Sequence, residues 1–151
     1  SRGLGDVYKR QQLMTAIVQA IVGAMRRDPK RPDAEVGLKT PSIHSDLLWT
    51  LHSNNNIAEA LRRFGVSRTT RTLILVRVAP PLDAGELVQH MTQLVDGTLQ
   101  TRGLSLPSPA LAWSELGTAY KIQDTPAFQH PDTSQVDALI CSMVASKYVG
   151  A

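Results

Sequence analysis

The chain has 151 residues, with 16 Lys and Arg against 13 Asp and Glu, a formal net charge of +3 and a pI near 9.3. That length suits one domain around a single core, and the mild positive excess permits an anionic partner such as RNA without demanding one, because acidic residues are spread along the chain. The single cysteine, Cys141, excludes an internal disulfide and a cysteine-only metal site and fits a reducing compartment; no apolar run approaches the roughly 20 residues of a membrane span, so a soluble chain with no membrane partner is expected.

Residues 1–11, SRGLGDVYKRQ, show no apolar period and join abruptly to a helical pattern. From Asp6 to Gln11 they read as the translation of a transposon mosaic end used in sequencing-library preparation. We therefore expect a junction artefact over 1–11 and one domain over 12–151, incomplete at its N-terminus. In such a fragment a sheet edge or an apolar face is expected to lie uncovered. Next, Leu13, Ala16, Ile17, Ala20, Ile21, Ala24 and Met25 mark one helical stripe and Met14, Val18 and Val22 a second, predicting a helix packed on more than one side. Residues 26–33, RRDPKRPD, read as an exposed loop.

Over residues 45–52 the alternation puts Leu47, Trp49 and Leu51 on one face and Leu48, Thr50 and His52 on the other, which predicts a strand. Asn54 to Asn56 offer side-chain oxygens to a helix start, with Asn55 or Asn56 as the N-cap. The stripe Ile57, Ala60, Leu61 and Phe64 follows. Glu59 in the first turn and Arg62 and Arg63 near the end suit the helix dipole, and Gly65 is expected to stop the helix in the left-handed conformation. Residues 71–79, rich in β-branched side chains, predict a second strand ended by Pro80 and Pro81.

Between 83 and 95, Leu87, Val88, Met91, Leu94 and Val95 predict an amphipathic helix with Asp83 as cap and Gly97 as stop. A short strand at 98–101 and a loop at 103–109 follow, and 112–121 reads as either helical or extended. Residues 123–133 read as a second exposed loop. The last helix begins near Thr133 and presents Val136, Leu139, Ile140, Met143 and Val144 on one stripe; Cys141 within it reads as a small core residue. Two strands are too few for a stable open sheet. The expected architecture is α+β, a small mixed or antiparallel sheet with helices packed on it, its remaining strands lying in the missing N-terminal segment or within 99–119.

Chemistry-bearing patterns are absent. His44, His52, His90 and His130 lack metal-ligand spacing. Ser42, His44, Ser45 and Asp46 carry no nucleophile elbow, and neither a phosphate loop nor a dinucleotide fingerprint occurs. No catalytic residue, metal or cofactor is assigned.

The run over 42–67, SIHSDLLWTLHSNNNIAEALRRFGVS, resembles the small kinase-binding subunit of the KEOPS (EKC) complex, the CGI/TPRKB (PRPK-binding protein) family. That family carries N-N-I-x-E-A-L-(R/K)-(R/K)-F-G-(I/V)-S, here Asn55, Asn56, Ile57, Glu59, Ala60, Leu61, Arg62, Arg63, Phe64, Gly65, Val66 and Ser67. Residues 119–122, AYKI, are similar to its I-Y-K-L run and residues 137–141, DALIC, to its D-A-I-I-C helix. The resemblance implies a non-catalytic subunit that binds the complex's atypical kinase/ATPase directly and its other subunits indirectly. Such a subunit supports threonylcarbamoyl modification of the adenosine beside the anticodon of tRNA, in the cytoplasm and nucleus of a eukaryote. It also implies that the C-terminal helix supplies the kinase contact, with Leu139, Ile140, Met143 and Val144 as candidates. The basic candidates for tRNA are Arg26, Arg27, Lys30, Arg31, Lys39, Arg62 and Arg63, each able to neutralise a phosphate. A stand-alone RNA-binding module is the alternative, weakened by the chain's seven Phe, Trp and Tyr residues, most of which sit in apolar patterns rather than on a stacking platform.

Overall fold

The computed structural model describes residues 10–26, 38–71, 73–80, 83–99, 109–129 and 133–149. They form seven helices: α1 (Arg10–Met25), α2 (Ile43–Leu51), α3 (Ile57–Phe64), α4 (Ala84–Gln93), α5 (Pro109–Tyr120), α6 (Pro126–Gln129) and α7 (Thr133–Ala145). No strand or bridge occurs among the described residues, so the expected α+β fold with its sheet is corrected to a helical one.

The first error has a local cause. Residues 45–51 of the expected strand are helical because Ser42 caps α2, its Oγ accepting the Ser45 N–H at 3.1 Å, and His52 is the C-cap. Asp46 in the first turn suits the helix dipole. Burial then falls on Asp46, Leu47, Trp49, Thr50 and Leu51, so most of the helix circumference is inside. A short apolar run buried all round shows the same alternation as a strand, and period alone does not separate the two. Residues 73–79 form no regular element, with Ile74 and Val76 packed on the core and Leu75 and Arg77 outside, and no strand lies beside them among the described residues. Residues 98 and 99 form no regular element, and the rest of the proposed 98–101 strand lies outside the described residues, as do residues 1–9 and 27–33.

The core gathers Leu13, Ala16 and Ala20 from α1, Leu47 and Leu51 from α2, Ala60 and Phe64 from α3, Leu116 and Ala119 from α5, and Val136, Ile140 and Val144 from α7. Each of the large aliphatic side chains here contributes about 1.5–3 kcal/mol when taken fully from water. Helices α1 and α7 lie side by side and run parallel. Gln12 Nε2 donates to Asp137 Oδ1 at 2.9 Å, Thr15 meets Cys141, and Gly23 meets the Tyr148 ring, so the contacts advance together along both helices. A Cβ on Gly23 would sit 2.7 Å from that ring, which is why no larger residue fits there. The second stripe of α1, expected to be packed, is outside among the described residues: Met14, Val18 and Val22 are exposed, and so is Met25, the last residue of the first stripe, by 76%.

Helix ends account for the other corrections. Asn56 is the N-cap of α3, accepting the Glu59 N–H at 3.2 Å, and Asp83 caps α4 through the Gly85 and Glu86 N–H groups. Gly65 closes α3 at φ −75° and ψ 167°, an extended conformation rather than the left-handed one expected. Glycine is required there for a different reason: a Cβ would overlap the Leu61 carbonyl oxygen, which accepts the Gly65 N–H at 2.8 Å. Helix α4 ends before Gly97, with Leu94 as its cap. The left-handed residue is instead Lys121, φ 55°, just after α5, where the Ile122 N–H returns to the Gly117 carbonyl at 3.1 Å. Within the expected loop 123–133, α6 stacks Phe128 on Trp113 with ring centroids 5.1 Å apart and planes 10° apart. Gly117 makes room for it, since a Cβ there would meet Phe128 Cζ at 2.5 Å.

Candidate functional site

The densest polar cluster among the described side chains joins the turn between α2 and α3 to the end of α7. Asp46 is 0% exposed. Its Oδ1 accepts the Lys39 and Thr40 N–H groups at 2.9 and 2.7 Å, and its Oδ2 accepts the Tyr148 hydroxyl. A buried carboxylate is tolerated only when its lone pairs are met in this way. Burial pushes the Tyr148 phenol well above its ordinary pKa, and the neighbouring Asp46 carboxylate adds to the rise. The Tyr148 ring also packs edge-on against Trp49, 5.4 Å between centroids, with the Arg26 guanidinium 5.9 Å from its own centroid.

The preceding residue, Lys147, reaches the other side of the turn. Its Nζ donates to the His52 carbonyl at 2.7 Å and to the Asn54 carbonyl, and lies 4.8 Å from the Trp49 ring centroid. Burial lowers its pKa from 10.5 to about 8. The Trp49 indole N–H donates to the Asn55 carbonyl at 3.3 Å, and Ser53 Oγ donates to the Ala119 carbonyl of α5 at 2.6 Å. His52 is held below its ordinary pKa, chiefly by burial, with Glu59 opposing the shift and Lys147 adding to it. The Asn54 side-chain amide donates to Glu59 Oε2 at 2.7 Å, and this bond lowers the Glu59 pKa.

The family-motif residues are therefore largely structural. Asn54, Asn56 and Glu59 build the turn and the cap, Asn55 lends its carbonyl to Trp49, Ala60 and Phe64 are in the core, Ile57 packs against it, and Leu61 is exposed. Of the expected kinase-contact residues, Ile140 and Val144 are inside the fold, Ile140 at 0% exposure, whereas Leu139 and Met143 are only partly buried. Arg27, Lys30 and Arg31 lie outside the described residues. Among the remaining basic candidates, Arg62 is 75% exposed and 3.9 Å from Glu59. Arg63 Nη2 donates to the Glu115 carbonyl at 3.1 Å, Lys39 is exposed, and Arg26 stands over Tyr148. Reading by pattern missed Asp46, His52, Lys147 and Tyr148. A carboxylate inside an otherwise apolar run and a Lys-Tyr pair directly after an apolar helix were the available signals. Ser42, Ser45 and His44 do local work: the serines cap α2, and His44 Nε2 accepts the Val78 N–H at 3.1 Å.

The described part of the chain is thus a helical protein whose buried polar groups bind its own backbone and fasten separate helices together. The family model "Kinase binding protein CGI-121" matches residues 6–148, and the chain belongs to that family. It is 34% identical over 98 residues to the EKC/KEOPS complex subunit CGI121 of Gibberella zeae, covering 60% of this chain and 45% of that protein. It is 38% identical over 94 residues to the corresponding subunit of Aspergillus terreus (61% and 44%), and 40% identical over 67 residues to that of Yarrowia lipolytica (44% and 35%). The chain spans less than half the length of these curated relatives. No solved structure matches it.

Proposed function

We propose that the chain acts as the kinase-binding accessory subunit of an EKC/KEOPS complex, supporting threonylcarbamoyl-adenosine modification of tRNA in the cytoplasm and nucleus without catalysing a step itself. The observation that carries this is the family match over residues 6–148, together with relatives named as subunits of that complex. The kinase contact is assigned to the partly buried edge of α7, Leu139 and Met143, because Ile140 and Val144 already fill the core. The remaining subunits are reached through the kinase. A contact with tRNA is assigned to Arg62 and Arg63 at the end of α3, together with Arg26 and Lys39.

A binding titration against the kinase subunit tests the first assignment. The wild-type chain binds, and Leu139→Asp with Met143→Asp weakens binding by about 2 kcal/mol, roughly 30-fold in Kd, as expected for truncation of a central apolar contact. Absence of binding by the wild type removes the proposal. For tRNA, log affinity falls linearly with log salt and Arg62→Ala lowers the slope by about one. A salt-independent affinity argues against the tRNA contact while leaving the kinase reading intact.

A further inference from the structure

His52 is 4% exposed, and its Nδ1 accepts the Asn54 N–H at 3.1 Å. That bond requires a lone pair on Nδ1, so the ring proton sits on Nε2, facing Glu59 Oε1 at 4.0 Å. The bond closes the turn over residues 52–56. The same turn presents the carbonyls of His52 and Asn54 to Lys147 and that of Asn55 to Trp49. Next to Lys147, Tyr148 is seated on Asp46. The end of α7 is therefore held in part by a turn that the His52 imidazole nitrogen closes at Asn54, beside the Asn56 N–H that donates to Asn54 Oδ1 at 2.9 Å.

We infer that the 52–56 turn and the 146–149 turn form an acid-released latch, closed while His52 is neutral and opened when Nδ1 takes a proton. Protonation converts the acceptor into a donor aimed at another N–H. Asn54 must then swing away, carrying with it the carbonyls that anchor Lys147. The charged surroundings favour release over accommodation. Lys147 from the C-terminal turn and Arg63 from α3 both disfavour a second positive charge at His52. Glu59 favours it, but Glu59 is shared with the Asn54 amide and with Arg62. Asp46 is occupied by Tyr148 and two backbone N–H groups, and the Tyr120 hydroxyl of α5 donates to the Leu51 carbonyl at 2.7 Å. The Phe64 ring, 5.7 Å away edge-on, supplies no compensating polarity.

The direction follows from linkage. The unfolded imidazole titrates at 6.5 and the folded one lower, so closure is at full strength above 6.5 and weakens as pH falls through the interval between the two values. Below the folded value both states carry the proton, and the loss is complete.

The test is NMR of the full chain from neutral to mildly acid pH, following the His52 ring, the Asn54 amide and exchange protection of the Lys147 and Val149 amides, which bond to the Val144 and Ser146 carbonyls at 3.3 and 3.0 Å. All four are expected to move on one midpoint below 6.5, while protection of the Ile140 amide in the core stays constant. His52→Gln, which keeps an acceptor for the Asn54 N–H and cannot titrate, is expected to abolish the acid response. Lys147→Gln is expected to loosen residues 146–149 at neutral pH while the His52 ring still titrates. Persistence of the response in His52→Gln, or loss of Ile140 protection at the same midpoint, overturns the latch. Should His52→Gln not fold, failure of Lys147 and Val149 to follow the His52 midpoint in the wild type does the same.

Discussion

Gly65 shows how a single backbone position can be required for a reason that its residue type does not announce. Glycine after a helix usually signals a left-handed turn, a place where asparagine is the accepted substitute. Here φ is −75°, which any residue adopts, and the constraint is the Leu61 carbonyl lying where a Cβ would go. Gly65→Ala and Gly65→Asn are therefore expected to destabilise the chain alike, by about 1–3 kcal/mol, as in other forced overpackings. Urea denaturation of both variants checks this; a well-tolerated Asn beside a damaging Ala would restore the left-handed reading. At this scale much was legible beforehand. Asp83 was recognised as a cap, and the α3 cap was narrowed to Asn55 or Asn56, because a cap depends on one side-chain oxygen and the N–H groups two or three residues on. Gly65 and Lys121 were not, because close approach and positive φ depend on where the chain goes next.

Among the elements, legibility followed the length of the repeating pattern. Helices α1 and α7, with more than three turns each, were readable from their stripes. Helix α2 was mistaken for a strand because nine residues buried on most sides leave no polar face to set the period. The cap at Ser42 was the discriminating clue. Helix α7 also shows what a stripe leaves undecided: Val136, Ile140 and Val144 point inward while Leu139 and Met143 sit at the margin, although all five share one helical face. Ile140→Arg is accordingly expected to abolish folding, since it places an unpaired cation among α1 and α7 side chains. Far-UV circular dichroism and a melting curve decide it; a folded Ile140→Arg would mean that this side of α7 can open.

For the molecule as a whole, the family was readable while the architecture was not. The motif over 55–67 serves largely turn and cap formation, which leave a strong local imprint, whereas the arrangement of helices depends on contacts such as Gln12 with Asp137 and Tyr148 with Asp46, more than 100 residues apart in the chain. Those distant contacts also govern the alkaline limit of stability. The raised Tyr148 pKa means that the folded state keeps its phenolic proton longer than the unfolded chain, so stability is complete below the ordinary value of 10.0 and declines as pH rises above it. Lys147 acts oppositely, its burial penalty easing between about 8 and 10.5. Tyr148→Phe is expected to lower stability at neutral pH, leaving Asp46 short of a donor, and to remove the decline above 10. Thermal melts of both proteins at neutral and alkaline pH measure this.

The chain's two indoles occupy unlike surroundings. Trp49 lies under an ammonium group and against the Tyr148 phenol, with its N–H engaged by a carbonyl, whereas Trp113 is stacked flat on Phe128. Their emission spectra should therefore differ in wavelength and quenching. Replacing either one by phenylalanine would leave a single indole, reporting on the α2–α3 turn when Trp49 remains and on the α5–α6 packing when Trp113 does, so the two sites can be followed separately without attaching a dye.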